Sequence, residues 1–327
     1  MTSLRVSLRF LAILGFVGSA CLPVATGAET YPVKPVQIVV PFAVGGTADI
    51  TVRLVAQKLS ERMGQPFVIE NKPSAGGIVA AQSVAQAKPD GYALLLVSNG
   101  TAVSVSLFKS LPFDPVKNFA PVSTLGFFSL AIVTNSDSNI NSVKALVAAG
   151  KSASTHLNVA TINIGSTQHL AAELFKSTTG LEFTVVPYKS SPDVVTALRA
   201  KDVQVAFEIL SPLLPHIKSG ALKPLAVTSE RRFAGLPDVP TVIESGFPGY
   251  SVSSWNGLAA PAGTPRPIIE RLNSEINAVV AMPEVKQRLL ELGVEARAGS
   301  PEALQQLLAT EIEKWKVVVE RAKIEKQ

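Results

Sequence analysis

Three short stretches of the sequence combine glycine and hydroxyl residues with the onset of a helical pattern, and the chemistry such turns offer is anion binding. They are Pro41-Phe42-Ala43-Val44-Gly45-Gly46-Thr47-Ala48-Asp49, Ser98-Asn99-Gly100-Thr101 and Asn163-Ile164-Gly165-Ser166-Thr167-Gln168-His169. Glycine lets successive backbone N–H groups converge, and the first turn of a helix adds partial positive charge. A carboxylate would meet uncharged donors at all three, at a modest desolvation cost. Each stretch alone also fits ordinary helix capping, so the recurrence shifts the balance only modestly toward a ligand.

The neighbouring residues carry two readings each. Asp49 suits a helix start that orders its own loop, because it would repel a carboxylate ligand. His169 fits packing or capping as well as contact, and Gly76-Gly77 reads as a structural turn. Tyr188 and Trp255 could wall a cleft or belong to the core. Glu208 ends an apolar strand, where an acid is costly unless it is paired or faces a cleft. It could recognise a ligand amine or hydroxyl, or pair with a lysine.

Enzyme signatures are absent. There is no G-x-G-x-x-G, P-loop, H-E-x-x-H or G-x-S-x-G, and the three histidines, His156, His169 and His216, stand far apart. Binding rather than turnover is the expectation, without cofactor or metal. The rival from another class is a secreted hydrolase using Ser166 with His169.

The elements that must position these turns alternate. Strand patterns at Val36–Pro41, Phe67–Glu70 and Tyr92–Ser98 interleave with helical patterns at Ile50–Arg62 and Ala80–Ala87, a βαβα order. An apolar run at Val122–Val133 leads into a second series. It has helices around Val143–Ala149, Gln168–Ser177 and Pro192–Arg199, and strands at Leu157–Ala160, Phe183–Pro187, Val203–Phe207 and Leu225–Thr228. Phe233–Tyr250 reads as a crossing loop, Trp255–Ala260 as a strand, and Pro267–Ala281, Pro283–Leu292 and Pro301–Lys323 as helices opened by proline.

The chain has 327 residues, 47% of them hydrophobic and 17% charged, which suits a compact apolar fold and excludes disorder. Residues 1–28 contain Arg5, Arg9 and no acid, then an apolar run and small residues ending at Thr26-Gly27-Ala28, which reads as a cleavable secretory signal. Its removal lowers the formal charge from +5 to +3, with the basic residues scattered, so nucleic acid is not an expected partner. The single cysteine, Cys21, falls in this leader. Lipid anchoring there is the weaker alternative, because Gly18 stands where a leucine is usual. The mature chain then has no thiol, disulfide or zinc-thiolate site.

In order, Tyr31-Pro32-Val33-Lys34-Pro35, the turn Pro41–Asp49, Glu70-Asn71-Lys72-Pro73, Lys88-Pro89-Asp90-Gly91-Tyr92 and Gly165–Leu170 make a specific series. Val186-Pro187-Tyr188-Lys189, Leu214–Gly220, Leu236–Thr241 and Ala260–Pro265 extend it. Across the whole mature chain, the sequence resembles the substrate-binding proteins of tripartite tricarboxylate transporters, the Bug receptors. The resemblance implies an α/β, type II-like periplasmic binding protein of two doubly wound domains around a ligand cleft. The domains would be 29–128 plus 250–327, and 129–249. It implies a monomer in the periplasm that captures a small organic carboxylate, partly through ordered waters, and delivers it to membrane permease subunits. The same fold would serve a ligand sensor in signalling.

Carried over by position, the implied contacts are Phe42, Gly45, Gly46, Thr47 and Asp49, then Ser98, Asn99 and Thr101. Gly165, Ser166, Thr167, His169 and Tyr188 complete the carry-over, with Glu208 standing where the family commonly has Asp. Thr47 sits one position early, so Ala48 precedes Asp49, and Ile164 replaces a small residue. These departures bear on ligand identity rather than membership.

Overall fold

The computed structural model describes residues 31–152 and 156–327. The expected leader, Cys21 and the cleavage position at Ala28 lie outside the described residues. In chain order, the first series is β1 (Val36–Val40), α1 (Thr47–Met63), β2 (Phe67–Asn71), α2 (Ile78–Ala85), β3 (Ala93–Ser98) and α3 (Asn99–Leu107). The long strand β4 (Phe119–Asn135) and α4 (Val143–Gly150) lead to the second series. It comprises β5 (Asn158–Ile162), α5 (Thr167–Thr179), β6 (Thr184–Tyr188), α6 (Ser191–Ala200), β7 (Val205–Ile209) and α7 (Leu210–Lys218). The remainder is β8 (Leu222–Val227), β9 (Ser253–Pro261), α8 (Arg266–Ala281), α9 (Pro283–Glu291), β10 (Val294–Ala296) and α10 (Pro301–Arg321).

The two series repeat one topology. β1 lies between β2 and β3, parallel to both, and β5 lies between β6 and β7, parallel to both. Antiparallel β9 flanks β3, and antiparallel β4 flanks β7. One strand serves both halves of the sheet: β4 pairs with β9 through Ser129 and with β7 from Leu130 onward. Its near-continuous apolar run is what burial on both faces demands.

Helices cover the sheet with their apolar stripes. Val52, Val55 and Leu59 of α1 are fully buried, as are Leu170 and Phe175 of α5. Each such side chain contributes about 1.5–3 kcal/mol of transfer free energy. Helix α10 packs on both α3 and α5, with Trp315 fully buried between the series. Residues 32–327 group as one compact unit.

Most expected elements appear within a few residues of their expected bounds. Two were not anticipated. Helix α7 carries Pro215 in its interior, and β10 is three residues long, held against β4 where Arg297 stacks on the Phe127 ring 3.6 Å from its centroid. Trp255 belongs to the core rather than to a cleft wall.

Candidate ligand-binding site

In an open parallel sheet, ligands bind beyond the carboxyl ends of the strands, where the strand order reverses. Those points here are the ends of β1 and β3 in one series and of β5 and β7 in the other. The turns leaving all four strands converge on one cavity of about 380 Å³. Its lining includes Phe42, Gly46 and Thr47 from the first turn, Ser98 and Gly100 from the second, and Gly165, Ser166 and Thr167 from the third. Ile209 comes from the end of β7, Ser254 and Asn256 from β9, and no charged side chain is among the lining residues. An adjoining cavity of about 400 Å³ shares Phe42, Ser98, Gly165 and Ser166 and adds Thr101, Gly76, Gly77 and Ile164.

The first turn is braced by charge. Asp49 is 1% exposed and accepts from the Gly45 N–H at 2.9 Å, Arg53 Nε at 2.9 Å and Asn71 Nδ2 at 2.8 Å. Asn71 Nδ2 also donates to the Phe42 carbonyl at 2.9 Å, which ties the turn to β2. Burial pushes the Asp49 carboxyl upward, but the bonds from Arg53, Gly45 and Asn71 outweigh it and hold it below the ordinary aspartate value. Gly45 takes φ +87°, a conformation that disfavours any side chain. Gly46 caps α1 without a side-chain bond, so the first N–H groups of the helix are left for another acceptor.

The second turn is capped reciprocally. Ser98 Oγ accepts from the Gly100 N–H at 3.2 Å, while Thr101 Oγ1 accepts from the Ser98 N–H at 3.1 Å. Asn99 is fully buried and joins three elements. Its Nδ2 donates to Thr167 Oγ1 on α5 at 2.7 Å, and its Oδ1 accepts from Trp315 Nε1 on α10 at 2.6 Å. Asn99 therefore ties the start of α3 to the start of α5.

The third turn is braced without charge. Ser166 Oγ accepts from the His169 N–H at 3.1 Å and donates to the Ile162 carbonyl at 2.9 Å. His169 Nδ1 accepts from the Gly165 N–H at 3.4 Å, and burial lowers the imidazole to about 4, so it is neutral near pH 7. These bonds leave the Ser166 hydroxyl joined to a backbone carbonyl rather than to the imidazole of a serine–histidine pair. Gly165 has φ +81°, and a Cβ there would stand 2.5 Å from the Leu107 side chain, so the turn closes on α3 only with glycine.

Of the sequence-derived candidates, Phe42, Gly46, Thr47, Ser98, Gly165, Ser166 and Thr167 line the first cavity, and Thr101 lines its neighbour. Gly45, Asp49, Asn99 and His169 stand behind the turns and hold them. Tyr188 packs with the core beneath α6, away from both linings. Glu208 is fully buried behind Gln168: its Oε1 accepts from Gln168 Nε2 at 2.6 Å and from the Ile209 N–H at 2.7 Å. Burial pushes this carboxyl up to about 7, against the opposing pull of Gln168, the Ile209 N–H and the Ser191 hydroxyl. Gln168, Ile209 and Asn256 line the cavity and were missed. Gln168 lay inside the third motif, whereas Asn256 sits in an apolar run that gave no signal.

The family model for the tripartite tricarboxylate transporter family receptor matches residues 51–324. The chain belongs to this receptor family. The BugT protein of Bordetella pertussis is 36% identical over 314 residues, covering 95% of this chain and 96% of that one. A solved R. palustris protein with adipate is 34% identical, with a TM-score of 0.79, and covers 91% of this chain and 100% of its own. MatC from Rhodopseudomonas palustris with bound malate is 33% identical, with a TM-score of 0.74, and covers 88% and 100%. The fold is thus that of a receptor-family periplasmic binding protein, and the converging turns lie on it at the switch points of both series. No helix among the described residues is long and apolar enough to cross a membrane.

Proposed function

We propose that this protein captures a small organic carboxylate in the cavity bounded by the three turns and passes it to the membrane permease of a tripartite tricarboxylate-type transporter from the periplasm. The observation that carries the reading is the cavity itself: helix starts from both series face one space whose lining holds no charged side chain. Backbone N–H groups and the ends of α1, α3 and α5 would then supply the whole anion field. Such a site can release its ligand, because no buried cation is left uncompensated when the carboxylate departs.

Phe42, Gly46, Thr47, Ser98, Gly165, Ser166 and Thr167 are the proposed contacts, with Thr101 at the margin. Gly45, Asp49, Asn99 and His169 are positioning residues. Residues 29–128 with 250–327, and 129–249, act as two lobes that close on the ligand about the point where β4 changes partners. Residues 1–28 direct export, and the protein acts as a monomeric receptor rather than as an enzyme. Relatives solved with adipate and malate support the ligand class.

The test is thermal unfolding against mono-, di- and tricarboxylates, aromatic acids, sugars and amines. A ligand at 100 times its dissociation constant adds about 2.7 kcal/mol, enough to raise the midpoint visibly. Shifts confined to carboxylates support the reading. Shifts from sugars or amines with none from acids would overturn it.

A further inference from the structure

The two lobes also meet main chain to main chain at a point outside the cavity lining. Gly293, between α9 and β10, takes φ +73°, and a Cβ there would stand 3.0 Å from the Ser211 amide nitrogen and 3.2 Å from the Ser211 Cα. Ser211 lies in the first turn of α7, in the other lobe. Both neighbours are backbone, so a side chain at 293 meets no flexible group that could swing aside. Leu290 of α9 adds an apolar contact to the same joint. It packs on the cluster holding Leu210, Leu213 and Leu214 of α7, and every other residue of that cluster comes from 129–249. On the far side of Gly293, Val294 is fully buried and pairs with Phe128 of β4, two residues before β4 begins to pair with β7. A Cβ on Gly126 would stand 2.7 Å from Val294 Cγ1 and 3.0 Å from the Glu295 carbonyl oxygen, so β10 is seated as closely on β4 as Gly293 is on α7.

We infer that Gly293 is a pivot that fixes the angle between the lobes, and so a positioning residue for ligand capture. This rests on the reading above, in which two lobes close on a ligand about β4. Phe128, the partner of Val294, and Ile209, two residues before Ser211, both line the cavity. The joint therefore sets the spacing between a lining residue of one lobe and a lining residue of the other. It also stands beside the place where β4 changes partners, so a displacement there turns each lobe as a whole. The helix starts of α1 and α3 then move relative to that of α5, and an anion that needs all three loses their convergence. Only glycine serves at 293, because both the positive φ and the approach to Ser211 exclude a Cβ. An alanine would force the joint open by a few tenths of an ångström, since packed main chain on the other side cannot yield.

The test sets Gly293→Ala against Gly220→Ala. Gly220 has the same φ of +73° but open space where a Cβ would stand, so the two variants share the backbone strain and differ in the contact. Both are made in the full chain with Cys21→Ser and with spin labels on Lys88→Cys and Lys144→Cys, one exposed position in each lobe. Gly293→Ala should shift the mean distance between the labels and weaken the binding of malate or adipate about tenfold, mainly through faster dissociation. Gly220→Ala should leave the distance and the affinity as they are in the labelled parent. Leu290→Ala, which empties the joint instead of crowding it, should broaden the distribution of label distances. Equal distances and equal affinities in the two glycine variants overturn the inference, because strain alone then accounts for any loss. A shifted distance with the parent's affinity overturns the positioning role. Should Gly293→Ala fail to fold, Leu290→Ala decides, and an unchanged distribution there overturns the pivot. If the parent binds neither acid, capture of these ligands is the reading that fails, and the label distances in the free protein still decide the pivot.

Discussion

The first and third turns answer the same demand with different chemistry. Both leave a central parallel strand, pass through a glycine at positive φ and open a helix toward the cavity. The first is held by an ionised carboxylate, Asp49, with a guanidinium and an amide around it. The third is held by a hydroxyl cap, a neutral imidazole and an amide backed by a buried acid. The difference lies in what stands behind each helix. Arg53 is half exposed and can accompany a charge, whereas among the described residues no ion pair reaches His169 or Glu208, which are buried. Where a buried group has a charged partner with access to water, charge is retained, and where it has none, burial favours the neutral form.

The largest effect expected from breaking this comparison is at Asp49. Asp49→Ala removes one acceptor from three donors, and hydrogen bonds to a charged group are worth about 1.5–3 kcal/mol each without being additive. A loss on the order of 3 kcal/mol in urea unfolding is expected, together with weakened binding because Gly45 loses its tether and Asn71, which holds the Phe42 carbonyl, loses one of its partners. Ser166→Ala, which removes a neutral helix cap and the hydroxyl's bond to the Ile162 carbonyl but no charged partner, should cost less, about 1–2 kcal/mol. Equal losses for the two would show that the turns do not differ in the way described. Asp49 is also the group that sets an acid limit. Its pKa is lowered on folding, so the stability it contributes is present above the ordinary aspartate value and is lost as pH falls through the depressed one.

The next effect is at the joint between the turns. Asn99→Ala removes the donor to Thr167 and one of two acceptors of the Trp315 indole, the other being Glu311 Oε2 at 2.7 Å. Because Trp315 keeps a partner, the expected cost is moderate, about 2 kcal/mol including the cavity left behind. Tryptophan emission should shift, reporting the altered indole environment. An unchanged midpoint would mean that Asn99 does not couple α3 to α5.

The sequence disclosed the turns better than their supports. Glycine and hydroxyl residues before a helical period mark a strand-to-helix turn locally, so Gly46, Ser98, Gly165 and Ser166 were legible from their own neighbours. The α/β order was legible for the same reason, since periodicity is local. Asn256 was not legible, because its role depends on β9 pairing antiparallel between β3 and β4, a contact set by residues more than a hundred positions away. Tyr188 misled because a tyrosine at a strand end looks alike whether it faces a cleft or the flank of α6. Helix α7 was hidden by its prolines, although Pro212 stands in the first turn, where no N–H is needed.

The smallest effect expected in the unaltered chain is that of mild acid, and it is small because two larger ones cancel at the third turn. Glu208 is raised from 4.5 to about 7, so between those values the folded chain holds a proton there that the unfolded chain has released. Stability from this group is complete below about 4.5 and declines as pH rises toward 7. His169 is lowered from 6.5 to about 4, so between those values the unfolded chain holds a proton that the folded chain lacks. Its effect runs the other way, with stability lost as pH falls from 6.5 toward 4. Near pH 5.5 the two proton counts offset, and the midpoint of unfolding should be nearly flat. Glu208→Gln should expose the histidine slope, with stability rising with pH by up to about 1.4 kcal/mol per unit. His169→Asn should expose the opposite slope, and the double variant should be flat again. Single variants that both stay flat would show that the third turn carries no buried titrating pair. Its contrast with the charged first turn would then rest on hydrogen-bond geometry alone.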